Sequence, residues 1–159
     1  MRAFANRPIS GDDIDRILEA ARRAPSALNW QPWDFIAVTD RALLRELSSV
    51  GPGTGHVAEA AAAIAVVVPD FEDEKDRRRA QTDVGQAAMS MLIAATDLGI
   101  GSGHAGVADQ ERARQILGFP EDRIIALMVD FGHPADRPLS PIRNPKRRPF
   151  EEIVHRERW

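Results

Sequence analysis

The stretch Pro25-Ser26-Ala27-Leu28-Asn29-Trp30-Gln31-Pro32-Trp33 gathers one hydroxyl and two carboxamides, those of Ser26, Asn29 and Gln31, within six residues. Two indoles and two prolines surround them. Polar groups set among bulky aromatics need hydrogen-bond partners once they are buried. A flat ligand with a polar edge would supply those partners while an indole or a proline covers its face. On spacing alone the alternative is a packed turn after a helix, with Trp30 and Trp33 as core aromatics.

Two further stretches carry chemistry-bearing residues. Gly99-Ile100-Gly101-Ser102-Gly103-His104-Ala105-Gly106 has no Gly-Lys-Ser/Thr and follows a helix, so it is neither a P-loop nor a dinucleotide fingerprint. It reads as a glycine-rich turn; its functional reading is that glycines let backbone N–H groups approach a ligand closely. In Asn144-Pro145-Lys146-Arg147-Arg148-Pro149-Phe150 three cations stand between prolines. Such a run is either a solvated face or a cradle for a phosphomonoester, whose charge suits the planar guanidinium fork. Arg2 adds to that cradle only if the N-terminus lies beside it. His56, His104, His133 and His155 show no metal-ligand spacing. Asp83 and Asp97 form no evident general acid–base pair, and no Ser-His-Asp order stands out.

The elements that must position these stretches follow from periodicity. Ser10 and Asp13 mark a helix start, and Ile14, Ile17, Leu18 and Ala21 continue it to about Ala24, where Pro25 stops it. Phe35–Val38 reads as a strand, and Asp40 caps a helix carrying Leu43, Leu44 and Leu47. Residues 51–55, Gly-Pro-Gly-Thr-Gly, read as a flexible loop. A buried strand is expected over Ile64–Val68 and a long helix from about Glu72 to Leu98, its second half apolar nearly all round and therefore central. Asp109 opens a short helix that Gly118 closes, and Arg123–Val129 is a third strand. The segment from His133 onward holds five prolines and six arginines and has too little apolar surface to fold alone. The order implies one α+β or α/β layered domain.

Composition narrows the function classes. The chain has 159 residues, with 21 basic against 24 acidic side chains, so no broad cationic field favours nucleic acid. Without cysteine there is no disulfide, thiolate metal site or thiol nucleophile. No apolar run reaches the ~20 residues of a membrane span, and a signal-peptide core is absent, so a cytoplasmic location without membrane contact is expected.

Taken in order, "ARRAPSALNWQPWDFIAV", "DVGQAAMSMLIAATDLGIGSGHAG" and "KRRPFEEIVHRERW" together resemble the nitroreductase-like FMN flavoproteins over nearly the whole chain. The resemblance implies an α+β fold, a central mainly antiparallel sheet flanked by helices. It also implies an intertwined homodimer with FMN in two interface pockets. Residues 1–159 would be one domain, with 134–159 an arm packed on the partner. Pro25, Ser26, Ala27 and Asn29 would lie along the flavin ring and its polar edge. Gly103, His104, Ala105 and Gly106 would run over the ring, with the Ala105 N–H nearest flavin N5 and the small Gly103 and Ala105 keeping a slot open. Arg2, Lys146 and Arg148 would hold the phosphate, and His56 falls near a position used on the pyrimidine edge. The chain opens at Met1-Arg2-Ala3-Phe4, so the first Arg and the Ser of the family's phosphate motif have no counterpart. Either the protein starts earlier or the phosphate rests on those three cations.

The activity implied is NAD(P)H-dependent reduction of nitroaromatics, quinones or similar electron-poor acceptors, by ping-pong hydride transfer through N5 with no catalytic side chain and no metal. Alternatives are a specialised enzyme of the same fold (dehalogenation, flavin cleavage or ring dehydrogenation), an FMN store without turnover, and a cofactor-free dimeric interaction domain.

Overall fold

β2 (Ala62–Pro69) shows why its sequence is an uninterrupted apolar run. Alternate residues of a strand face opposite sides of the sheet, and here both sides are covered. Ile64, Val66 and Val68 enter one core with Ile14, Ile17, Met91 and Phe131. Ala63, Ala65 and Val67 enter a second with Leu44, Leu47, Ala113 and Met128. The computed structural model describes residues 1–143 and 145–159; Asn144, which begins the basic stretch, lies outside them. Its sheet has four antiparallel strands, in the order β1 (Asp34–Val38), β2, β4 (Arg123–Gly132), β3 (Gly101–Ala105). α1 (Gly11–Arg22) and α3 (Glu74–Asp97) cover the first face, α2 (Arg41–Leu47) and α4 (Gln110–Leu117) the second. This is the α+β arrangement of antiparallel sheet and flanking helices that the sequence predicts.

Helix boundaries follow side-chain caps. Ser10 Oγ accepts from Asp13 N, Asp40 from Ala42 N and Leu43 N, Asp73 from Lys75 N and Asp76 N, and Asp109 from Arg112 N. Each such cap is worth about 1 kcal/mol. Because Asp73 is the cap, α3 starts at Glu74, two residues later than periodicity alone suggests. Gly118, at φ 71°, ends α4 in the left-handed conformation that suits glycine.

Four expectations are corrected. The stretch 99–106 is mostly strand and not turn: only Gly99 turns (φ 72°), and Gly101–Ala105 pair with Gly132–Met128. Gly101 records a close approach, since a Cβ there would stand 2.6 Å from Met1 Sδ. The sheet therefore has four strands, one more than expected. Residues 51–55 are a packed knot and not a flexible loop. Thr54 is fully buried, its hydroxyl 2.8 Å from Ser48 O and 2.7 Å from Gly51 O. A Cβ on Gly51 would stand 2.5 Å from Gly106 O. Finally, α3 is not buried all round: Met89 and Ile93 are 56% and 64% exposed, one side of an otherwise enclosed helix.

The two chain ends meet. Phe4 bridges Pro134, Ala5 N donates to His133 O at 2.8 Å, and Ala135 N donates to Ala3 O at 3.3 Å. Beyond this tie the described residues are exposed apart from half-buried Leu139, and the helix among them, α5 (Phe150–Ile153), is a single turn. Among the described residues no helix is long and apolar enough to cross a membrane.

Candidate functional site

The connection from α1 to β1 is held in a shape that L-residues adopt reluctantly. Leu28, Asn29 and Gln31 have φ of 53°, 56° and 48°, each costing roughly 1–2 kcal/mol for a residue with a Cβ. Hydrogen bonds hold it there. Ala27 N donates to both carboxylate oxygens of Asp83, at 3.2 and 3.1 Å, and the Trp30 indole N–H donates to Asp83 Oδ2. Gln31 N donates to Ser26 Oγ at 3.1 Å, and Gln31 Nε2 lies 3.1 Å from both Asn29 O and Asn29 Oδ1. Trp30 stacks on Phe71 with ring centroids 5.3 Å apart, and the Arg79 guanidinium lies 5.2 Å from its centroid. Trp33 is buried in the first core. Both indoles are thus engaged by their own chain and neither is a cover for a ligand. Pro25 and Asn29 are exposed and Ser26 half-buried, on the outer side of the loop. Part of the polar character noted in the sequence is satisfied locally: Ser26 Oγ and Asn29 Oδ1 already accept. The Ser26 O–H and the Asn29 NH2 have no partner among the described residues and remain to act as donors.

β3 is the opposite edge of the sheet. Gly103 and Ala105 are buried, and the space beside Gly103 is filled from within. A Cβ there would stand 2.7 Å from Met1 O and 2.9 Å from both Asp130 carboxylate oxygens. Gly103 therefore keeps no slot open; it makes room for Asp130. Met1 N donates to Ser102 O, which marks the outward-facing backbone of this edge strand as that of Ser102 and His104. By strand alternation the Ala105 N–H turns inward to β4, and His104 presents its own outward. Within residues 101–106 the exposed ones are His104 and Gly106.

Behind β3 lies a buried pair. His56 Nε2 and Asp130 Oδ1 share a hydrogen bond of 3.0 Å, with side chains 7% and 0% exposed. Asp130 Oδ2 is buried without a partner among the described residues. Burial raises the Asp130 carboxyl above the ordinary carboxylate range, while His56 and the chain's first amino group pull it back. His56 is consequently a core histidine held by Asp130 and not a side chain standing in an open cleft.

Arg2, Lys146 and Arg148 are all exposed. Arg2 is carried beside β3 by its neighbour Met1 and beside the start of the arm by the Phe4–Pro134 bridge. Arg148 lies 3.3 Å from Glu152 Oε2 and 3.0 Å from Glu152 O of its own short helix. The loop and β3, by contrast, do not meet within one chain. β1, which the loop enters, and β3 are the two edges of the sheet, about 14 Å apart at the usual ~4.8 Å strand spacing.

Two residues central to this geometry escape sequence reasoning. Asp83 and Asp130 are the two buried acids, yet each bonds across a long separation, 56 residues to Ala27 and 74 to His56. The available signal was a single acid inside an apolar run, in "TDVGQAAM" and in "IIALMVDFG". Among the described residues no group of three or more His, Asp or Glu is placed to hold a metal.

The architecture defines a class: a four-stranded antiparallel sheet between two helical layers, with a strained polar loop and a glycine-rich edge strand at its opposite margins. Residues 1–51 and 51–133 match the nitroreductase family, and the chain belongs to it. It is 35% identical over 163 residues to a protein of Archaeoglobus fulgidus described as an NADH dehydrogenase/NAD(P)H nitroreductase, covering all of this chain and 92% of that one. It is 25% identical over 179 residues to an FMN reductase [NAD(P)H] of Bacillus subtilis, covering all of this chain and 70% of that one. Its fold superposes on that of an FMN-dependent nitroreductase of Clostridium difficile with a TM-score of 0.85, covering 100% and 94% of the two chains at 22% identity.

Proposed function

We propose that the protein is an FMN-dependent oxidoreductase that uses NAD(P)H to reduce nitroaromatics, quinones or similar electron-poor acceptors. The observation that carries the reading is the loop Pro25–Asn29, a strained backbone fixed by a buried carboxylate in a chain of this family. Strain of this kind persists where the surroundings over-determine it, and it concentrates at ligand sites.

The donor set fits the cofactor's chemistry. The Ser26 hydroxyl and the Asn29 amide are outward-facing donors for the polar edge of the ring, and Pro25 offers an apolar surface beside them. Ala27 contributes by anchoring the loop, since its N–H is committed to Asp83. Along β3 the outward N–H of His104, and just past its end the exposed Gly106, are the donors we assign to N5, since the Ala105 N–H turns to β4. Arg2, Lys146 and Arg148 are guanidinium and ammonium groups suited to a phosphate, and the tie between the chain ends brings Arg2 beside the arm that carries the other two. When bound, FMN supplies hydride acceptance and donation at N5, so that nucleotide and acceptor use one slot in turn. The side chains are left to bind the ring, orient the reactants and exclude water.

One chain does not complete this site, because its two halves lie at opposite edges of the sheet. A homodimer does so if the loop of one protomer faces β3 of the other. Two features support it. The Met89–Ile93 stripe of α3 is exposed, and the arm 134–159 carries exposed Ile142, Phe150, Ile153 and Trp159. Burying such surface returns about 25 cal/mol per Å². Titrating FMN into the purified protein while following its mass tests the reading: one FMN per chain on a dimer is expected, and a monomer that binds FMN fully would refute the shared site.

A further inference from the structure

Asp83 poses a question that the reaction leaves unanswered. It is 2% exposed, on the buried side of α3 between Ala80, Val84 and Ala87, where a small apolar residue would pack without cost. No cation neutralises it among the described residues; Arg79 of the same helix is paired with Asp76 at 3.2 Å. A buried carboxylate is tolerated only when its oxygens are well bonded. Here the bonds come almost entirely from one place. Ala27 N donates to both oxygens and the Trp30 indole N–H to one, while Gln86 Nε2 is at the limit of hydrogen-bond length, 3.5 Å. Between the two donors lie Leu28 and Asn29, both left-handed without being glycine. Leu28 is also 92% exposed, so neither its strain nor its apolar side chain is rewarded by packing in the chain.

We propose that Asp83 is a positioning residue for the cofactor: by gripping Ala27 N–H and the Trp30 indole it holds the strained Pro25–Asn29 loop in the one shape that presents Ser26 and Asn29 to the flavin edge. The proposal rests on the FMN reading above. The loop's own backbone bonds, Asn29 N to Ser26 O at 3.0 Å and Trp30 N to Ala27 O at 3.1 Å, close single turns only, and Asp83 on α3 ties those turns to the rest of the fold. Trp30, stacked on Phe71, sets the direction from which the indole N–H reaches the carboxylate.

The test compares the full chain with Asp83→Ala, Asp83→Asn and Trp30→Phe, and with Ile17→Val as a core control that makes none of the loop's hydrogen bonds. FMN affinity is read by quenching of flavin fluorescence, stability of the apoprotein by urea unfolding, and the Trp30 indole N–H by its hydrogen exchange. The expected result is FMN affinity lowered roughly 10- to 100-fold by Asp83→Ala, less by Asp83→Asn, which keeps one acceptor oxygen, and least by Trp30→Phe. Exchange at the indole should quicken in both Asp83 variants, and Ile17→Val should lower stability with affinity unchanged. If Asp83→Ala does not fold, Asp83→Asn and Trp30→Phe decide. Wild-type affinity in the variants overturns the proposal and leaves the FMN reading standing. An equal loss in Ile17→Val also overturns it, because Asp83 would then act only through stability. A wild-type chain that takes up no FMN ends the FMN reading itself, and the proposal with it.

Discussion

Gly103 and Gly106, three positions apart, answer differently to the same added methyl. At Gly103 the methyl would meet Met1 O at 2.7 Å and the Asp130 carboxylate at 2.9 Å, neither of which is a flexible side-chain end. Gly103→Ala should therefore destabilise the fold by about 1–3 kcal/mol, the usual cost of overpacking, measured by urea unfolding of the apoprotein. At Gly106 a Cβ meets nothing within 4 Å. Gly106→Ala should leave that stability within about 0.5 kcal/mol and weaken FMN binding instead, which fluorescence titration would read. Asp130 makes a pH prediction. Its carboxyl is raised by burial, so the folded chain holds its proton to higher pH than the unfolded chain. That term favours folding below the ordinary carboxylate pKa and is lost as pH rises through the folded value. Asp130→Asn removes the term. The stability of the variant should thus improve relative to wild type as pH rises from about 4, at up to about 1.4 kcal/mol per unit of displacement. Parallel curves would show that the pair does not titrate with folding.

Helices and strands differ in how much of them local sequence reveals. The caps Ser10, Asp40 and Asp109 and the glycine stop at 118 act within a turn, and they mark their helices correctly. β3 is hidden because its alternation is written in glycine, serine and alanine, whose small side chains give no apolar period. The loop is visible for the opposite reason: Ser26, Asn29, Gln31 and two indoles are neighbours in the chain. Its anchor is not, since Asp83 meets Ala27 only after the whole of α2 and β2 has been laid down. α3 is central, and its exposed Met89 and Ile93 form the apolar stripe that the proposed dimer would cover. Replacing both by Asp should cost the folded protomer little, because both sites are exposed, yet convert a dimer to monomers in sedimentation and release FMN. A double variant that remains a yellow dimer would place the interface elsewhere.

Between copies, the same logic reaches the arm. Ile142, Phe150, Ile153 and Trp159 stand exposed on a segment whose backbone is tied to the core near Phe4 and Pro134. Truncation before residue 144 removes Lys146 and Arg148 together with Phe150 and Trp159. It should abolish FMN retention and weaken association while the sheet and its two cores, which lie wholly within residues 9–132, stay folded. Circular dichroism and gel filtration of the truncated chain would show this. What is proposed for this site is a flavin shared by two chains and reduced by a nicotinamide. Anaerobic addition of NADH, and separately of NADPH, to the FMN-loaded dimer measures that in one cuvette. The yellow colour should bleach with at least one nucleotide and return on adding a quinone. A protein that refuses FMN, or whose flavin stays oxidised under excess of both nucleotides, contradicts the reductase reading.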